Sequence, residues 1–371
     1  MFTKNNQTRL KKSALDLTFL SSCAVLIIFG LVMIYDASVV AAFRDFGDRL
    51  YYFKNQLIWV TLGTFMMLAA SFVDYHKFTR NSLVFLAIVF LLLIVVLIPQ
   101  LGSEIYGARR WITLGTFNFQ PSEFAKLALI FYQARILAKF QNYSMRLTDT
   151  FVVFFLPAII LTGLVIVEPD LGTALVLIAI TLITYFSAKA PLTHFLLAIP
   201  GVILAAVGAI LLEPYRVSRL KSYLDPTFDP QGASYQINQI LIAIKNGGLL
   251  GVGIGGSRGK FDFIPEVHSD AIFSVVVEEL GLVGAIFLII LILFLSTKII
   301  DIAKEAKDME GKIIASGILA IISVQAFLNL ASNVALVPLV GIPLPFISYG
   351  GSSFIITMIA LGILINIKKQ S

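Results

Sequence analysis

The chain has 371 residues, of which 58% are hydrophobic and 13% are charged, about half the charge of an ordinary soluble domain, which is roughly 25%. So little charge cannot solvate a soluble globular enzyme, and so much apolar content excludes disorder; one cysteine, Cys23, excludes a disulfide framework or a thiolate metal cluster. The net charge of +6 therefore bears on orientation in a membrane rather than on nucleic acid.

A hydrocarbon core takes roughly 20 apolar residues per helix. By that measure the chain is an all-α polytopic membrane protein, a single integral membrane domain over 1–371. About ten spans are expected, at 15–35, 56–73, 82–99, 122–139, 151–167, 171–188, 193–212, 270–297, 313–336 and 350–367. The apolar runs are continuous rather than alternating, which argues against membrane strands. The first follows a basic leader without a small-residue cleavage pattern and reads as an uncleaved span. With the N-terminus inside, sixteen Lys and Arg residues fall on inner connections and five in short outer ones. Both termini are therefore expected in the cytoplasm. One long loop, 213–269 between spans 7 and 8, is then extracellular. Within it Tyr235 to Leu250 has apolar residues at helical spacing, which fits a helix lying on the membrane or one packed on the bundle.

Several patterns carry little. The glycines Gly251, Gly253 and Gly256 satisfy a dinucleotide-binding spacing but follow no expected strand. The histidines 76, 194 and 268 lie far apart, without metal-ligand spacing. The sequence shows no cofactor signature and leaves divalent-cation binding open.

The remaining polar residues gather at the connections expected outside. Arg109 and Arg110 precede Pro121-Ser122-Glu123, which opens a span, and Lys126 lies one turn inside it. Glu123 and Lys126 share a helix face, as a structural ion pair or as substrate contacts. Glu168-Pro169-Asp170 breaks the chain between two spans; its two carboxylates fit a cation or ligand site or, the preferred reading, a cap at the start of the second span. Glu266, His268, Ser269 and Asp270 lead into the eighth span, which continues with Glu278 and Glu279. Ionisable groups in a span are functional by default, so Asp270 is the prime candidate. Ser348, Gly350, Gly351 and Ser352 lie in an irregular segment before the last span, tolerated at membrane depth where it lines a cavity or is buried in protein. Arg109, Arg110, Arg216, Arg219 and Lys260, with Asp262, Glu266 and Asp270, suit a lipid-linked diphosphate and a base acting on a hydroxyl.

Gly107-Ala108-Arg109-Arg110-Trp111, Gln120-Pro121-Ser122-Glu123-Phe124-Ala125-Lys126, Glu168-Pro169-Asp170-Leu171-Gly172-Thr173, Pro265-Glu266-Val267-His268-Ser269-Asp270, Glu278-Glu279-Leu280-Gly281 and Pro345-Phe346-Ile347-Ser348-Tyr349-Gly350-Gly351-Ser352-Ser353 resemble, in order, the signature motifs of the SEDS family (FtsW, RodA and SpoVE). The stretch from Tyr235 to Phe261 is more similar to the division branch, FtsW, than to RodA. The resemblance implies a peptidoglycan glycosyltransferase that polymerises lipid II outside the cytoplasmic membrane, working with a class B penicillin-binding transpeptidase and the division or elongation complex. It implies that Asp270 is the essential acid and Asp262 a second one. Ser269 and Ala271 depart from the family's usual Thr and Phe. The competing readings are a lipid II flippase and a non-catalytic scaffold.

Overall fold

Every long apolar run of the sequence is helical in the structure, a computed structural model that describes residues 2–105, 108–114, 117–140, 147–211, 213–232, 234–260, 264–265 and 267–371. Four helices come first: α1 (Phe2–Phe46), α2 (Tyr51–Phe72), α3 (Tyr75–Arg80) and α4 (Ser82–Leu97). Three short strands follow, β1 (Ser103–Ile105), β2 (Ala108–Leu114) and β3 (Phe117–Phe119), antiparallel in that order. Next are α5 (Pro121–Lys139) and α6 (Leu147–Asp149), which runs through a π-helical turn (Thr150–Phe155) into α7 (Leu156–Val167). The rest of the chain forms α8 (Leu171–Ser187), α9 (Leu192–Leu211), α10 (Pro214–Leu224), α11 (Tyr235–Gly247), α12 (Ile272–Glu305), α13 (Met309–Asn333) and α14 (Gly351–Gln370).

Among the described residues, six helices are long and apolar enough to cross a membrane, and a seventh span results if α10 and the end of α9, bent by 100°, count as one. This is fewer than the ten expected, although a helix covers each of the ten segments. The difference is physical. Helices α4 and α8 have only 16 and 17 residues, and α5 carries Glu123, Lys126 and Arg135 within its length. Helix α13 packs against α5, α8 and α12, and α14 lies along α2. Large apolar side chains such as Phe65, Leu83, Leu91 and Val283 point outward, as lipid-facing residues do.

Helix α12 is interrupted at Gly281, whose φ of 67° and ψ of −165° leave the helical region. The loop after α11 satisfies the backbone groups this frees: Val252 and Gly253 donate to the carbonyls of Glu278 and Glu279 at 2.9 and 3.0 Å, and Leu282 donates to Gly248 at 3.0 Å. A Cβ at Gly281 would lie 2.4 Å from the nitrogen of Gly251, so only glycine fits the backbone angle and the close approach. Helix α11 packs on the bundle. Ile237, Ile240 and Ala243 are buried, and α11 lies against α12.

At the pole holding the C-terminus, His76 joins two connections. Its Nδ1 lies 2.7 Å from Asp74 and its Nε2 lies 2.8 Å from Asp308. Partial burial opposes the imidazolium, but hydrogen bonds to both carboxylates and their charge outweigh it and hold the His76 pKa above its ordinary value. The backbone N–H of His76 and its ring pull Asp74 down to about 2. A raised histidine pKa contributes stability that is complete below the unfolded value of 6.5 and is lost as pH rises through the folded value. The melting temperature of wild type should exceed that of His76→Asn most at pH 6, with the gap shrinking toward pH 9. A gap constant across that range contradicts the clamp.

Candidate active site

At the other pole lies a cavity of about 1020 Å³ lined by charged, aromatic and apolar residues. Arg44, Arg110, Arg216 and Arg219 line it together with the carboxylates Asp45 and Glu213, as do the rings of Tyr52 and Trp111 and the apolar side chains of Leu171, Leu175, Ile210 and Leu328. Asp270 and His268 line the same space. A diphosphate and an apolar chain on one molecule would thus both find partners here.

The Asp270 carboxylate is set by its neighbours. Ser269 Oγ donates to Asp270 Oδ1 at 3.1 Å. Gly341, in the left-handed region at φ +66°, faces the other oxygen: a Cβ there would stand 3.3 Å from Asp270 Oδ2 and 3.8 Å from Arg219 Nη1. Carboxylate and guanidinium therefore flank one glycine. Arg219 Nη1 also donates to the carbonyl of Leu339 at 3.0 Å. His268 packs on Tyr52 with ring centroids 4.1 Å apart, and both meet Tyr349.

Helix ends hold the other two arginines. Arg216 donates to Ala209 O at 2.6 Å and Ile166 O at 2.7 Å, carbonyls of the last turns of α9 and α7, where the helix dipole favours a cation. Arg110 donates to the carbonyls of Glu168, at 3.0 Å, and Pro169. Each guanidinium has five N–H donors, so these bonds use part of its capacity. The Glu168 side chain is fully buried, and among the described residues neither carboxyl oxygen has a hydrogen-bond partner. Burial, with the charge of Asp170, pushes its pKa up to about 9 despite Arg110. At neutral pH it is uncharged and leaves the arginines their charge. Asp170 caps α8, accepting from Thr173 N–H at 3.0 Å.

Other expected site residues lie elsewhere. Arg109 pairs with Glu104 at 3.0 Å on the sheet, away from the cavity. Lys126 Nζ lies 2.7 Å from Glu123, both side chains almost wholly buried, and donates to Gln325 at 2.9 Å. It is a structural pair joining α5 to α13, not a cavity cation. Lys260 touches the cavity wall, but Asp36 and Glu279, each at 3.0 Å, take up its ammonium; it ties α1 to α12. Ser348 Oγ donates to Ser269 O at 2.7 Å. Gly350 N–H points at Gln56 Oε1, a Cβ on Gly351 would lie 2.3 Å from the Trp59 ring, and Ser352 bonds Asn118 and Gln120 at 3.1 Å. This segment is buried in protein and does not line the cavity. Asp262 and Glu266, with Gly107 of the arginine motif, lie outside the described residues.

Gln325, Asn329 and Asn333 of α13 are further polar residues near the site, not among the candidates named from the sequence. Their signal is plain in retrospect: three amides at four-residue spacing form one polar stripe along an apolar helix. Gln325 Nε2 donates to Pro343 O at 2.9 Å.

Removing one partner of a buried ion pair costs about 3–5 kcal/mol, because the other charge stays buried. Lys126→Met should therefore lower the melting temperature in detergent sharply, and adding Glu123→Leu should recover most of the loss. A double variant no more stable than Lys126→Met contradicts the pairing.

The FtsW/RodA/SpoVE family model, described as cell cycle protein, matches residues 17–371. Stage V sporulation protein E of Bacillus subtilis is 39% identical over 366 residues, covering 97% of this chain and 99% of its own. A probable peptidoglycan glycosyltransferase FtsW of Trichlorobacter lovleyi is 40% identical over 357 residues, covering 95% of this chain and 93% of its own. A chain solved in a peptidoglycan synthase complex that coordinates polymerization and crosslinking superposes with a TM-score of 0.79 at 27% identity, covering 95% of this chain and 97% of its own. The chain belongs to the FtsW/RodA/SpoVE family of cell cycle proteins.

Proposed function

We propose that this protein is a peptidoglycan glycosyltransferase that polymerises lipid II, an undecaprenyl-diphosphate-linked disaccharide-peptide, on the outer face of the bacterial cytoplasmic membrane. The observation that carries the reading is the cavity itself, which brings Asp270 together with Arg110, Arg216, Arg219 and apolar side chains at one pole of a membrane bundle. Relatives named peptidoglycan glycosyltransferase FtsW support it. The 4-hydroxyl of an acceptor sugar attacks the anomeric carbon of a donor. The new glycosidic C–O bond forms as the bond to the diphosphate breaks, and the electron pair leaves with the lipid diphosphate. Asp270 accepts the hydroxyl proton, a contribution of about 10²–10⁴-fold, and Arg110, Arg216 and Arg219 stabilise the departing charge. Neutral Glu168 leaves those arginines uncancelled.

A flippase would hold its site near the bilayer midplane. The cavity instead lies at one pole, at the N-terminal end of α12, which favours the polymerase; a scaffold needs no buried charge there. A class B transpeptidase is the proposed partner, supported by the likeness to a chain of a polymerising and crosslinking complex. Relatives named FtsW and SpoVE support a place in division or sporulation rather than elongation. Ten spans with both termini in the cytoplasm complete the reading, with α4 and α8 crossing as short helices and α5 carrying its buried pair.

Asp270→Asn is nearly isosteric and removes the base. Purified with its transpeptidase, it should fold and bind lipid II yet lose at least about 10²-fold in polymerisation rate; a wild-type rate would rule out this mechanism. For topology, Pro230→Cys in intact cells should react with an impermeant maleimide and Ala306→Cys should not. The reverse pattern contradicts the orientation.

A further inference from the structure

Residues 268–270 stand just before α12, whose first intrahelical bond runs from Ser274 N–H to Ala271 O at 3.0 Å. The carbonyls of His268, Ser269 and Asp270 therefore lie outside the helical ladder, and a buried carbonyl needs a donor. Each finds one. Tyr349 N–H donates to His268 O at 2.9 Å, and Ser348 Oγ to Ser269 O at 2.7 Å. The side-chain amides of Asn329 and Asn333 donate to Asp270 O at 2.9 and 3.0 Å, filling both of its lone pairs. These donors come from two directions, α13 and the irregular segment before α14.

The same groups reach the far side of the carboxylate. Asn329 also donates to Ile342 O at 2.8 Å, next to Gly341, which both Asp270 Oδ2 and Arg219 approach. Ser348 Oγ accepts from Leu344 N–H at 2.8 Å, so donor and acceptor sides of this hydroxyl are both engaged. Asn329 and Asn333 are 1% exposed and Ser348 is 5% exposed, and none of the three lines the cavity. They do not reach substrate from there.

We propose that Asn329, Asn333 and Ser348 are positioning residues that clamp consecutive peptide carbonyls and so fix the Asp270 carboxylate against Arg219 and the acceptor hydroxyl. The proposal rests on the reading of Asp270 as the base. A displacement of about 1 Å can cost roughly 10²-fold in rate, so losing one clamp bond should act on turnover before it acts on binding.

The test compares Ser348→Ala, Ser348→Thr, Asn333→Leu and Asp270→Asn, each purified with the transpeptidase and assayed on lipid II for kcat, KM and melting temperature. The clamp predicts that Ser348→Ala and Asn333→Leu lower kcat by about 10–100-fold with KM within about twofold, and that Ser348→Thr, which keeps the hydroxyl, restores it. Ser348→Ala is the milder change and decides the matter if Asn333→Leu does not fold. Folded Ser348→Ala with wild-type kcat, or Ser348→Thr as impaired as Ser348→Ala, overturns the clamp. If Asp270→Asn is inactive while Ser348→Ala turns over normally, the clamp alone fails. If Asp270→Asn itself polymerises at the wild-type rate, the base assignment fails, and the clamp with it.

Discussion

A chain inside a membrane must satisfy its own backbone hydrogen bonds, and this constraint shapes the whole pole that holds the cavity. Helices meet it automatically. A site that presents a carboxylate and arginines from several directions cannot be all helix, so wherever the chain leaves helical geometry another segment supplies the missing donors and acceptors. The break at Gly281 is answered by the loop after α11. The carbonyls at the C-terminal end of α7 and in the turn after it are answered by Arg216, Arg110 and Tyr215. Segments 268–270 and 339–349 answer each other, with help from the amides of α13.

Charge follows the same economy. Most ionisable groups that look like substrate contacts are tied to protein. Lys126 serves Glu123 and Gln325, Lys260 serves Asp36 and Glu279, and Arg109 serves Glu104. Glu278 accepts from Gly259 N–H at 3.2 Å, so two adjacent acids of α12 hold the loop that leads to Asp270. On the cavity wall Arg110, Arg216 and Arg219 hold backbone carbonyls, which costs them no charge, while Arg44 pairs with Asp45 at 2.6 Å. An arginine bonded to carbonyls is positioned but still cationic, whereas one bonded to a carboxylate is cancelled. That difference separates Arg110 and Arg216 from Arg109.

What could be read in the sequence follows the range of each interaction. Apolar runs showed where helices form, because burial in lipid is local to each run. The Glu123–Lys126 pair was legible because three residues bring side chains together on any helix. Asp170 as a cap was legible for the same reason. The count of spans was not, since α4, α5 and α8 depend on neighbours to make short or charged helices acceptable. Nor could Lys260 be assigned, for its partner Asp36 lies 224 positions away. Ser348, Gly351 and Ser352 looked like cavity groups because irregular backbone fits a cavity or a protein interior equally well, and tertiary packing decided for the interior. The stripe Gln325, Asn329, Asn333 was visible as a pattern, but its purpose needed the carbonyls it meets.

In the proposed reaction Asp270 receives the acceptor's proton beside the arginines of the cavity. A structure of the protein with its transpeptidase and a non-hydrolysable lipid-linked disaccharide in both donor and acceptor sites tests this most directly. It should place the acceptor 4-hydroxyl about 2.6–3.2 Å from the Asp270 carboxylate, with the donor diphosphate against Arg110, Arg216 and Arg219. An acceptor hydroxyl well beyond that reach, or a diphosphate seated away from the three arginines, would contradict it.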